Sequence, residues 1–393
     1  MKLINLKNQS LKEVATTLGV QGRDGLVEKF VSLGLPHKKT EQYHYFDIEK
    51  LLDVDYKTLD YLPKTIIEGD KIEIVDGVVV SAPKGMRINF EAGKKLDMEH
   101  FDPLYYLGHL LCPHTIKIEI DGDAEVEIEH RFTQSNALIN YRIVVSNQAN
   151  RHASIYENFV ADNVENSLVL YGYDMHIAQD STLRVKKLQT IENKQYSMVA
   201  SHRVNVGKNA NAILKSFDLG GGQALQLFKV ELAEYGHVDA GHLLYLNAGS
   251  KRGTVSQIIH RGEHSTSKQI AKNILDGEAR GIFDALIRVE HSAKFTKAEQ
   301  NAKSILLHKK AYMASKPQLE IYIDELEASH GSTTGQLDEK QLFYLQSRGI
   351  SYVEARKILV IAFANTLIEE VKDTREQERI KSAFEEVFYK AHQ

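Results

Sequence analysis

Residues 116–129 read IKIEIDGDAEVEIE. Ile116, Ile118 and Ile120 alternate with Lys117 and Glu119, Asp121-Gly122-Asp123 turns the chain, and Val126 and Ile128 then alternate with Glu125, Glu127 and Glu129. A period of two on both sides of a turn predicts two strands, each with one apolar face. Similar short runs follow at 143–145, 168–170, 183–185 and 204–206, and none contains proline. Beyond them, from Gly207 to Gly277, glycines recur at 207, 220, 236, 249, 262 and 277, with Gly241 and Gly253 falling off that spacing. Many short strands punctuated by glycine fit a sandwich, a barrel or a stacked β-solenoid. The absence of long helices between them argues against a doubly wound α/β sheet. No strict repeat is visible, so a solenoid would be an irregular one.

Outward from this middle the pattern turns helical. Ser10-Leu-Lys-Glu13 is a capping box ahead of Leu11, Val14, Ala15 and Leu18, and a second helix carries Leu26, Val27, Phe30 and Val31 before a stop at Gly34 and Pro36. At the far end Asp338 caps a helix with Leu342, Phe343 and Leu345, ended by Gly349. Ser351-Tyr-Val-Glu354 opens another, with Ile358, Leu359, Ala362, Phe363 and Leu367 expected on its buried face, and a last helix carries Ile380, Phe384, Val387 and Phe388. The architecture is therefore helix, β core, helix: an N-terminal helical domain over 1–70, a β core over 71–335 and a C-terminal helical domain over 336–393.

Composition narrows the function classes. The chain has 393 residues, 42% hydrophobic and 26% charged, with 49 Lys and Arg against 53 Asp and Glu for a net charge of −4. That balance lacks the basic footprint of a nucleic-acid binder. One cysteine, Cys112, excludes an internal disulfide framework and any four-thiolate site built from this chain alone. The longest apolar run, Ile358 to Ala364, is far short of the ~20 residues that a membrane span needs, and the start resembles no signal peptide. A soluble, cytoplasmic protein is expected.

Seventeen histidines raise the question of metal. His260 and His264 in HRGEH have the i, i+4 spacing of a helical zinc pair, but Gly262 lies between them in a β region, where that spacing spans about 13 Å. The residue after His260 is Arg261, so the general base of a metalloprotease motif is missing. His237 and His242, flanked by glycine, are no better. Gly220-Gly221-Gly222 has no following lysine and opens no helix, so it reads as a turn and not as a phosphate loop. Cys112 reads as a packed hydrophobe, and no nucleophile elbow is present. In Lys316–Ile350 a strand pattern at Leu319, Ile321 and Ile323 passes into the small polar run Ala328–Gly335, expected to be the junction between strand and helix. His330 sits in that run.

These residues carry a resemblance. RGIFDALIRVEHSAKFTKAEQNAKSILL (280–307), KPQLEIY, SHGSTTGQLDEKQLFYLQSRGI and ARKILVIAFA together resemble the C-terminal signature of the SufB/SufD family of iron–sulfur cluster assembly proteins. GLPHKKTEQYHYFDI (34–48) is similar to the family's N-terminal motif, with Tyr43 where a tryptophan is usual. The SHG followed by GQLDE, and the single cysteine, are SufD-like and not SufB-like. The resemblance implies a right-handed parallel β-helix core flanked by helical domains, and a non-catalytic scaffold subunit. It implies pairing with a SufB-like subunit, or homodimerisation, through the β-helix edges. It also implies docking of a SufC-like ABC ATPase on the C-terminal helices, with Arg348, Gly349, Ile350, Ala355, Leu359 and Phe363 as candidate contacts. His330 matches the family's seam histidine, a candidate iron ligand shared with the partner. No cofactor is then held stably by this chain alone, only transient iron or a nascent cluster at the seam. Ala328 departs from the pattern, since many SufD members have cysteine there. The competing readings are a β-helix carbohydrate-active enzyme and a structural adaptor with no metal role.

Overall fold

The computed structural model describes residues 1–20, 23–44, 46–61, 64–91, 101–120, 122–192 and 194–392; Asp121 of the first turn and Tyr45 of the N-terminal motif lie outside them. Thr115–Ile120 and Ala124–Phe132, the two strands of the opening stretch, form, but they do not pair with each other. The turn between them carries the chain from one sheet to another. Every later strand does the same. Ala137–Asn147, Ser167–Ile177, Tyr196–Val206, Gln223–Leu232, Lys251–His260, Arg280–Val289 and Tyr312–Ile321 extend the first sheet. His152–Ala161, Thr182–Gln189, Asn211–Asp218, His237–Leu246, Thr266–Leu275, Thr296–Leu306 and Leu326–Gly335 extend the second. Within each sheet these strands pair in parallel with the strand one coil before and, except for the last in each sheet, the strand one coil after, for example Leu138 beside Leu168 beside Ser197. Eight two-strand coils stacked in this way are a parallel β-helix; sandwich and barrel are excluded. Coil length drifts, since Met198 pairs with Ala224 while Arg280 pairs with Tyr312, which is why no repeat shows in the sequence.

All six regularly spaced glycines lie in connections between strands, whereas Gly241 and Gly253 lie inside strands. Gly172, also inside a strand, shows what such a position is for. Arg142, Gly172 and Ser201 are side by side on successive coils, and the Arg142 guanidinium crosses over Gly172 to donate to the Ser201 carbonyl at 2.8 Å and hydroxyl at 2.9 Å. A Cβ at 172 would lie 1.7 Å from the Ser201 oxygen.

The strands are apolar on both faces because both faces are covered. Inward side chains such as Ile139, Tyr141, Ile143, Ile155, Tyr173 and Val204 fill the lumen. The outer face of the first sheet (Leu138, Leu168, Leu170, Val199, Leu225) carries the N-terminal helices α1 (Leu11–Leu18), α2 (Asp24–Leu33) and α3 (Ile48–Leu52), together with α4 (Pro103–Leu111). α4 was not foreseen in the sequence; it falls inside the 71–335 span yet packs with the N-terminal helices. Its N-cap Asp102 accepts from the Leu104 amide and from the hydroxyl of buried Tyr43, each at 2.8 Å, and burial lifts this carboxyl to about 6. The outer face of the second sheet (Tyr156, Leu188, Phe217, Leu243, Tyr245, Ile274) carries α6 (Tyr352–Ile368) and α7 (Thr374–Lys390), which follow α5 (Glu339–Ser347). The caps at Ser10, Asp338 and Ser351 all form, as does Asp373 ahead of α7.

The buried side of α6 differs from the expected one. Ala355, Val360, Ala364, Leu367 and Ile368 pack inward, while Ile358 is exposed and Leu359 and Phe363 are half-buried. Apolar residues run all the way round this helix, so its period does not select a face; the contact with the sheet does.

If Gly172 holds the Arg142 crossing open, Gly172→Ala should cost more than about 3 kcal/mol in denaturant unfolding, because backbone meets backbone. Gly249→Ala, where a Cβ would meet nothing within 4 Å, should stay within about 0.5 kcal/mol.

Candidate functional site

The two ends of the coil differ. At the N-terminal end Arg87–Glu91 runs antiparallel against Thr115–Ile120, and the hairpin Ile72–Val75 with Val78–Ala82 covers the other sheet. Short antiparallel strands of this kind blunt an edge. At the C-terminal end nothing comparable follows among the described residues. Tyr312–Ile321 and Leu326–Gly335 are both edge strands, each paired on one side only. Pro317 is tolerated here because an edge strand can lose a donor. Tyr312, Ile321 and Tyr322, each more than 40% exposed, line this end.

His330 belongs to that end and not to a junction loop. The polar run expected to lead into the helix is the last strand of the second sheet, in register with the coil before it. Small residues did not break the strand because the preceding coil supplies a complete ladder for it to pair with. His330 aligns with Gln300, and Gln300 with Gln269. This row faces the lumen: Ala298, Gln300, Ala302 and Ser304 are buried while Glu299 and Lys303 are exposed, and Ser332, two residues beyond His330, donates across the lumen to Ser315 at 2.8 Å. His330 is exposed only because no further coil lies above it. Its imidazole has no hydrogen-bond partner among the described residues. Ala328 packs partly buried on the same row.

Beneath His330 the lumen is polar. Gln300 Nε2 donates to Gln269 Oε1 at 3.1 Å, and Gln269 Nε2 donates to Ser256 Oγ at 2.8 Å and contacts His242 Nε2 at 3.3 Å. Further in, His130 Nε2 meets Glu157 at 3.1 Å, the Tyr141 hydroxyl meets His130 Nδ1 at 2.8 Å, and the Tyr173 hydroxyl donates to Glu157 at 3.0 Å. Lys187 Nζ lies over the rings of Phe159 and Tyr171 with no hydrogen-bond partner, and burial lowers its pKa. Apart from His242, sequence reading passed over these residues. Their signal was a charged or amide side chain at an inward position of an otherwise apolar strand.

The other histidines singled out in the sequence are structural. His260 is buried, with Ser265 Oγ and Ser267 Oγ on its two nitrogens at 2.8 and 2.9 Å, while His264 stacks between Tyr235 and Phe295. His237 pairs with Thr266 Oγ1 at 2.6 Å. The Gly220–Gly222 turn is held from below by buried Arg252, which donates to the Leu219, Gly221 and Ile191 carbonyls. Cys112 is buried and its thiol donates to the His114 carbonyl at 3.0 Å; burial pushes its pKa up. Among the described residues no three His, Cys, Asp or Glu side chains converge on a position that could hold a metal.

A second surface lies on the C-terminal helices. Arg348 and Gly349 are exposed and Ile350 half-buried at the α5–α6 turn, but Ala355 is fully buried against the body and offers no contact surface. The outward residues are instead Phe343 (74% exposed), Tyr344, Tyr352, Val353 and Ile358. These helices are tied to the solenoid by charge as well as by packing. Lys186 and Lys215 are neighbours on the second sheet's outer face, and both are nearly buried. Lys186 pairs with Glu376 of α7; Lys215 pairs with Asp239 and with Glu370 after α6. Gly241 makes room for this, since a Cβ there would press on Lys215 and Leu367.

Comparison with known proteins gives the same grouping. Residues 130–363 match the family described as the SUF system FeS cluster assembly SufBD core domain, and residues 1–72 match the SufBD protein N-terminal region. The chain is 24% identical over 372 residues, 88% of each chain, to the iron-sulfur cluster assembly protein SufD of Escherichia coli. It is 24% identical over 432 residues to an iron-sulfur cluster assembly SufBD family protein of Synechocystis, covering 96% of this chain and 94% of that one. A segment of 116 residues is 33% identical to the SufD of Bacillus subtilis, over 30% of this chain and 26% of that one.

The buried histidines set an acid limit. Burial lowers His242 to about 3 and His260 to about 4, against 6.5 for a free imidazole. The unfolded chain therefore takes up these protons first, so the stabilisation is complete above pH 6.5 and drains as pH falls toward the folded values. Unfolding free energy should drop between pH 6.5 and pH 4, by up to about 3 kcal/mol per histidine. His242→Gln should flatten that slope in denaturant titrations at the two pH values.

Proposed function

The chain belongs to the SufBD family of the SUF iron–sulfur cluster assembly system, and from that premise we propose that it acts as a SufD-type, non-catalytic scaffold subunit. Its open coil end pairs with a SufB-like subunit, and its C-terminal helices dock a SufC-like ABC ATPase. The observation that carries this reading is the pair of bare ten-residue edge strands at one end only of the solenoid. Backbone donors and acceptors along an edge are a template for another strand, and proteins that stay monomeric blunt them. A partner that presents its own edge strands extends both sheets across the seam. A second copy of this chain could use the same edges, which makes the homodimer a competing state.

In this reading the cargo lies at the seam. Iron, or a nascent cluster, passes between the subunits, and His330 offers an imidazole nitrogen as one ligand beside thiolate from the partner. Imidazole suits iron, and mixed histidine and cysteine ligation of clusters is well precedented. No thiol stands beside His330 in this chain, where Ala328 occupies the position, so the thiolate must come from elsewhere. The dock is the outward apolar surface of α5 and α6, with Arg348, Gly349 and Ile350 at its rim; Leu359 and Phe363 support it from below. ATP-driven closure of the ATPase pulls on α5 and α6. Because α6 and α7 are fastened to the second sheet through Lys186, Lys215 and a shared apolar core, the pull reaches the solenoid as a rigid-body displacement. No helix among the described residues is long and apolar enough to cross a membrane.

Co-expression with the cognate SufB-like and SufC-like subunits tests each part. Ile321→Lys combined with Tyr322→Asp should weaken capture of the SufB-like subunit at least about ten-fold with the melting temperature unchanged. Undiminished capture would put the pairing surface elsewhere. Phe343→Asp with Val353→Asp should likewise abolish ATPase capture. His330→Ala should leave the assembly intact and lower its iron content; equal iron would reduce the chain to an adaptor.

A further inference from the structure

We propose that Gln300 is the positioning residue of His330: its side-chain carbonyl accepts the N–H of the imidazole and turns the other ring nitrogen outward to the cargo. This rests on the reading of His330 as a ligand. The argument is one of hydrogen-bond polarity along the lumen. Gln269 spends its amide nitrogen on Ser256 Oγ and His242 Nε2, which leaves its carbonyl as an acceptor. Gln300 fills that acceptor with its own amide nitrogen at 3.1 Å. The direction of the Gln300 amide is thereby fixed, and Oε1 is left over. That oxygen is buried without a partner among the described residues, on a side chain only 1% exposed.

An orphaned buried acceptor is costly and calls for a donor. The next position in its row, one coil toward the open end, is His330, whose imidazole is itself unpartnered among the described residues. In-register parallel neighbours on one face lie about 4.8 Å apart, within reach of both side chains. Neutral imidazole has one donor and one acceptor nitrogen, so a bond to Gln300 fixes the tautomer and frees the lone pair of the outer nitrogen. Metal-bound histidines are commonly held in this way by a second residue that accepts their N–H. The chain Gln269, Gln300, His330 thus ends in an acceptor aimed at a donor, and a reversed amide anywhere along it would forfeit the effect.

The test uses the complex with the cognate SufB-like subunit and Co2+ as the probe, followed by its visible absorption. His330→Ala should abolish the histidine-dependent Co2+ site. Gln300→Leu should weaken it about 10- to 100-fold, with thermal unfolding and subunit capture unchanged. Gln300→Glu, which keeps an acceptor oxygen for His330 but gives up the donor to Gln269, should bind more tightly than Gln300→Leu. Loss of binding in His330→Ala with parental affinity in Gln300→Leu overturns the positioning role and leaves the ligand reading standing. So does loss of binding in Gln300→Glu equal to that in Gln300→Leu. Parental affinity in His330→Ala overturns the ligand reading and this proposal with it. If Gln300→Leu does not fold, Gln300→Asn, one methylene shorter, carries the same expectation.

Discussion

A strand in a parallel coil can satisfy its backbone only by lying between two other coils. Every inner strand here does so, and the two last strands do not. Much of the remaining structure follows from that imbalance. The N-terminal end is closed by short strands from the same chain, antiparallel on the first sheet and a parallel strand with its antiparallel hairpin partner on the second, so the coil stops there. At the C-terminal end no further strand follows the last one of either sheet among the described residues, and exposed Tyr312, Ile321 and Tyr322 flank the two edges. Burying such an edge without a partner is expensive, and leaving it in water invites any strand that fits.

Because a coil has an inside and two outsides, each strand must serve two environments at once. The outer face of each sheet is greasy where helices lie on it: α4 and the N-terminal helices on one, α6 and α7 on the other. The lumen is mixed, with aliphatic layers interrupted by Glu157, Lys187, Gln269 and Gln300. Buried polar groups cost least when paired, and Glu157, Gln269 and Gln300 find partners one coil away, in the direction along which the solenoid grows. The lumen is thus organised along its axis, and its pattern of donors and acceptors arrives at the open end already directed.

The attachment of the C-terminal helices has a different character. Apolar contact from Val360, Ala364, Leu367, Phe384 and Phe388 fixes their position, and Lys186 and Lys215 fix their orientation through carboxylates on or beside the helices. With two lysines side by side and nearly buried, removal of Glu376 would leave the Lys186 charge uncompensated against the sheet, whereas Lys215 would keep Asp239 if Glu370 were lost. Such an attachment holds helices and solenoid together by packing and by charge at once.

How much of this was legible in the chain depends on range. Alternation at Ile116–Ile120 and Val126–Ile128, the caps at Ser10, Asp338 and Ser351, and the glycines at connections are all local consequences of strand, helix and turn geometry, and the sequence alone determined them. It also carried the motif run 280–366, enough to place the family. Three things were settled only in three dimensions. Sandwich, barrel and solenoid share one local period, and parallel register between strands a coil apart decided among them. α6 is apolar all round, so its period could not say that Ala355 turns inward and Ile358 outward; the sheet beneath it did. The small polar residues around His330 have weak strand preference, and they form a strand, with the imidazole facing the lumen, because a finished coil lay beside them to pair with. Local geometry fixes which side chains share a face, and only packing decides what that face meets.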